Sequence, residues 1–146
     1  MKHHLLLLFH LIAATIWIGG HLTLALTVLP KALKQKRPEL ITNFEKSFSI
    51  GMPALIILVI TGVWMAYDFA VPVSSWFSFN SPIEKVVSTK LLLLMLSLLF
   101  ALSAKFRLLK NLNQQKLPEM AFHIIMVTLI GIGMLVLGST VRYGGI

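Results

Sequence analysis

A chain of 146 residues has room for one compact domain, and with 57% hydrophobic and only 12% charged residues its composition is built for lipid, not water. A mean hydropathy of +0.86 excludes a soluble enzyme and a secreted scaffold. The absence of cysteine excludes disulfides, thiolate nucleophiles and Cys-rich metal sites, so a soft metal would have to be held by His, Met or carboxylate. The formal net charge of +8 does not point to nucleic acid, because the basic residues gather at the ends of apolar runs and lack interleaved aromatics.

Residues 5–29 contain no Asp, Glu, Lys or Arg, a run longer than the ~20 residues that cross a bilayer core, and they form the first predicted span. A cleaved signal peptide would have an apolar core of only ~7–15 residues followed by a small-x-small site. Gly19, Gly20 and His21 fall inside this run instead, so it reads as a retained span. Pro30 is expected to close it. Lys31, Lys34, Lys36, Arg37 and Lys46 fill a basic connection in which Pro38 and Glu39 suit a helix start, and Leu40, Ile41, Phe44 and Phe48 recur at helical spacing, as in a helix lying on the membrane surface.

The second span is expected over 48–67, kinked near Gly51 and Pro53. Residues 68–82 bring Pro72, Trp76, Phe77, Phe79 and Pro82, an interfacial loop with an aromatic belt. The third span, 86–104, has a short uncharged core, with Lys90 snorkelling toward headgroups. Lys105, Arg107, Lys110 and Lys116 form a second basic connection, and Pro118 opens a fourth span over 119–140.

The two basic connections hold nine Lys and Arg residues, against four (Lys2, Lys85, Lys90, Arg142) on the other side. By the positive-inside rule both termini face out of the cytoplasm in a bacterial-type inner membrane. The expected fold is all-α: an integral membrane four-helix bundle, up-down-up-down, forming a single transmembrane domain over 1–146 with no internal repeat.

His10, His21 and His123 all fall within apolar spans, where an ionisable group is costly and marks a candidate site. His10 and His21 are eleven residues apart, three helical turns, and share a stripe with Ala14 and Trp17. Depth counting from the span ends puts His21 and His123 within about 3 Å of one level, so that two imidazoles could ligate copper or clamp a haem iron. The structural alternative is that each histidine bonds a neighbour and the glycines beside them serve helix packing. Met65 and Met134 offer thioethers suited to Cu(I), although methionine also fills gaps in apolar packing. His3 and His4 follow an amino terminus that can wrap Cu(II) in a tetragonal nitrogen set.

The stretches FHLIAATIWIGGHLTLALTVLPKAL, GMPALIILVITGVWMA, KLLLLMLSLLFALSAKFRLL and AFHIIMVTLIGIGMLVLGSTVRYGGI together resemble the CopD-type copper-resistance membrane family in its short four-span form. The motif order is His10, Trp17, Gly19, Gly20 and His21, then His123, Arg142 and Gly144. The resemblance implies copper handling, with delivery of periplasmic copper inward, and carries His10, His21 and His123 over as the positions that matter. A more distant resemblance, through His10, Trp17 and Gly19, is to HemJ-type haem-binding membrane proteins; the Arg- and His-rich continuation of that motif is missing here. Two readings therefore stand. In the first, copper is captured at His3, His4 or His10 from a periplasmic donor and released near His21 and His123, with a homo-oligomer supplying room for a pore. In the second, haem b is held by these histidines with Arg142 on a propionate, exchanging electrons with quinol.

Overall fold

The computed structural model describes residues 2–68 and 71–146, which are helical with no strand among them. The helices are α1 (Lys2–Thr23), α2 (Leu29–Gln35), α3 (Glu39–Ser47), α4 (Gly51–Asp68), α5 (Pro82–Ser103) and α6 (Leu117–Thr140). Four continuous helical stretches are long and apolar enough to cross a bilayer: Lys2–Gln35, Gly51–Asp68, Pro82–Asn111 and Leu117–Tyr143. Large apolar side chains stay exposed around them, among them Leu26, Leu99 and Phe106, as lipid-facing surface requires. The all-α membrane bundle expected from hydropathy is what forms.

The helices depart from the expected spans at three places. Pro30 does not end the first helix. A wide π turn over Leu24–Val28 precedes it, and α2 begins with the proline in its first turn, so the missing N–H is absorbed where the ladder is already shifted. The chain then stops at Lys36, in the left-handed conformation (φ 53°). Pro53 does not kink α4, because that helix starts at Gly51 and its first-turn N–H groups need no intrahelical partner. The third helix is long: Ser81 and Glu84 close a capping box at its start, and a second π turn, Ala104–Leu108, carries it on toward Asn111.

α1 packs along α4, α5 along α6, and α1 meets α6 across the middle, whereas α4 and α5 make few contacts with each other. Both termini and the 71–81 loop lie at one end: His3 Nδ1 is 2.8 Å from Asp68 Oδ2, and Gly145 (φ 102°) comes so close to the Pro82 carbonyl that only glycine fits. The other end is the basic one. There α3 lies against the bundle through Ile41, with Leu40 and Phe44 beside it, on a cluster that includes Leu29, Leu108, Leu117 and Met120. The Arg37 guanidinium, 2.8 Å from Glu39, holds that carboxyl below its ordinary range. Arg107 pairs with Glu119 at the same end.

Glycine sets how closely α1 is approached. A Cβ on Gly20 would stand 2.3 Å from the Phe48 ring, and one on Gly131 would stand 3.4 Å from Ile18 and 3.7 Å from Trp17. Gly20→Ala is therefore expected to lower stability in detergent by about 1–3 kcal/mol through overpacking. Thermal unfolding of the double variant with Phe48→Ala checks the cause, since the two effects should be strongly non-additive.

Candidate functional site

Depth along the bundle follows from three contacts. His10 of α1 meets Thr61 and Gly62 of α4; Trp17 and Ile18 meet Gly131 of α6; and the Thr128 hydroxyl lies 3.4 Å from the His21 carbonyl oxygen. About eight residues from the Gly131 contact along each antiparallel helix, His10 comes opposite Gly138. Lys90 ends there too, with Nζ 3.3 Å from where a Cβ on Gly138 would stand.

At this end the four helices surround a cavity of about 530 Å³, lined by His10, Trp17, Met65, Lys90, Met134 and Gly138 among mainly aliphatic side chains. Three of the donors expected from the sequence, His10, Met65 and Met134, thus reach one space. They do so in tiers. Met65 lies about 6 Å nearer the termini than His10 and Met134 about 6 Å deeper, by helix rise. No cluster of three or more His, Cys, Asp or Glu with metal-holding geometry occurs among the described residues.

The protonation pattern of His10 follows from its partner. The Thr61 hydroxyl donates its proton to the Ile57 carbonyl at 2.6 Å, so across the 2.7 Å contact it accepts from His10 Nδ1–H. Nε2 then carries the lone pair of a ring that lines the cavity. Thr61, which the sequence reading passed over, is the residue that orients this imidazole.

His21 lies deeper, outside the cavity lining. Its Nδ1–H donates to the Trp17 carbonyl at 2.9 Å and its ring lies 4.4 Å from the Trp17 ring, which does face the cavity. His123 is buried and its nitrogens are both engaged: Nδ1–H donates to the Glu119 carbonyl at 2.9 Å, and Nε2 accepts from the Ser103 hydroxyl at 3.1 Å. Phe100 meets it edge-on at 5.2 Å.

The level match expected for His21 and His123 does not hold. With Thr128 opposite His21, His123 sits about 7 Å nearer the basic end and faces α5. Counting from the ends of apolar runs misplaced it, because the register of α1 on α6 is set by the close approach at Gly131 and the first helical stretch continues past Pro30 to Gln35.

The remaining candidates lie at the end of the bundle that holds the termini. His3 is joined to Asp68, His4 is exposed, and Arg142 is exposed in the turn that ends α6. Met1, the amine of the expected N-terminal chelate, lies outside the described residues.

Because His123 is bonded at both nitrogens, His123→Ala is expected to cost about 2–4 kcal/mol by leaving Ser103 unpaired and a void beside Phe100. Thermal unfolding in detergent checks this, and His21→Ala, which gives up one local bond, should cost less.

Residues 38–142 match a family model described as copper resistance protein D, a match over α3 to α6 that leaves out α1 with His10 and His21. No curated protein and no solved structure matches the chain. Four apolar helices in the expected fold, with a family match over most of its length, make this chain a multi-pass membrane protein that belongs to the copper resistance protein D family.

Proposed function

We propose that the chain binds copper as Cu(I) cargo in the cavity at the termini end of the bundle, with His10 Nε2 as the anchoring donor. The observation that carries this is the Thr61 hydroxyl on His10 Nδ1, a bond of the kind that orients metal-binding imidazoles and leaves Nε2 for the metal. Soft thioethers stand on either side in depth, Met65 toward the termini and Met134 toward the middle, and imidazole with thioether suits Cu(I). Their tiered spacing favours a short relay along the bundle over one fixed cage. His21, deeper on the same face of α1 with its ring tilted against Trp17, is the next donor in line.

The site faces out of the cytoplasm in this reading, because the basic connections at the far end hold nine of the Lys and Arg residues. Copper is then received from the extracytoplasmic side of a bacterial-type inner membrane. Lys90 opposes a cation at the His10 level.

Competition of the purified protein with a chromogenic Cu(I) chelator tests the site. His10→Ala should weaken binding at least about tenfold, and Met65→Leu and Met134→Leu each by less, whereas His123→Ala leaves it unchanged. Unaltered affinity in His10→Ala would overturn the assignment. Lys90→Met should tighten binding by about tenfold, the order of one like charge removed at close range. For orientation, an alkaline phosphatase fusion at Ser74 should be active and one at Gln114 inactive; the reverse would turn the bundle over.

A further inference from the structure

Lys90 brings a charge into the cavity that nothing among the described residues answers. No Asp or Glu lines the space, and Lys90 has no ion pair or hydrogen bond among the described residues. An ammonium held among aliphatic side chains is costly unless an anion or a hydrogen-bond acceptor is supplied. At the same depth His10 offers the opposite function, a lone pair on Nε2, because its Nδ1–H is taken by Thr61.

One donor and one acceptor at one level match the two oxygens of a carboxylic acid. The O–H donates to Nε2, and the carbonyl oxygen accepts from the Lys90 ammonium.

The rest of the lining is mostly apolar, with Ala14, Trp17, Ile18 and Leu94 on the deeper side of this level and Leu7, Ile83 and Val86 nearer the termini. One polar pair within a hydrocarbon lining suits a molecule with a head and a tail. α4 and α5 both line the cavity yet make few contacts with each other, so their seam is not closed by helix packing. A volume of about 530 Å³ lies within the range of small-molecule sites.

We propose that this cavity binds a single-chain carboxylic acid amphiphile of the long-chain fatty acid type, its head between Lys90 and His10 and its chain running past Trp17 toward the middle of the bundle. The proposal does not rest on the copper reading, and its test contains no copper.

The full chain carrying Trp64→Phe and Trp76→Phe, which leaves Trp17 as the emitter, is placed in phosphatidylcholine nanodiscs and titrated with 9,10-dibromostearic acid or its methyl ester. The acid should quench Trp17 saturably, while the ester, which has no O–H to donate, produces only the gradual quenching of partition into lipid. Lys90→Met should raise the half-saturating acid concentration about tenfold, the order of a charge-assisted hydrogen bond, and Lys90→Arg should restore it. Equal quenching by acid and ester overturns the proposal without reference to any Lys90 variant. So does an unchanged half-saturation in a Lys90→Met protein whose Trp17 emission shows it folded.

Discussion

A hydrocarbon interior offers no hydrogen bonds, so a polar group carried into it is costly unless it finds a partner within the protein. The three intramembrane histidines obey this in one way: each commits Nδ1–H to an oxygen of the bundle, the Thr61 hydroxyl for His10, the Trp17 carbonyl for His21 and the Glu119 carbonyl for His123. The helices thereby dictate the tautomer. What separates His123 from His10 is the fate of Nε2, which Ser103 occupies at His123 and no hydrogen-bonding group among the described residues occupies at His10. The same histidine type thus serves as a packing residue near the basic end and as a candidate ligand near the termini.

The bundle itself was legible in hydropathy and charge, because lipid permits few solutions and long uncharged runs have to become helices. Leu40, Ile41 and Phe44 likewise announced a helix with one sticky face, and α3 docks through that face. Pro30 and Pro53 were misread for a common reason. Proline is costly only where its N–H would have been used, and local helix geometry, which periodicity does not reveal, decides whether it would have been. The relative depth of His21 and His123 was hidden for a different one: register between helices is set by contacts such as Gly131 against Trp17, and these are invisible in either helix alone.

The candidate site was half legible. His10, Met65 and Met134 could be named as donors, and the fold brings them to one cavity, but Thr61 and Lys90 acquire meaning only from what stands opposite them. Lys90 read as a side chain escaping to headgroups; it lies instead against Gly138 and lines the cavity. The family match begins beyond α1, the helix that carries His10 and His21.

The two π turns, Leu24–Val28 and Ala104–Leu108, both fall near the depth of His123. Each takes up one residue more than an α-helix would, so the chain beyond it is out of phase with the chain before it by about one residue, some 100° of helix face. A helical wheel drawn straight through either stretch assigns the wrong side to everything past the wide turn. Leu29 and Ala32, buried near the basic end, belong to a different numbering of faces from His10 and Trp17, and comparison of substitutions along this helix has to be phased afresh at Leu24.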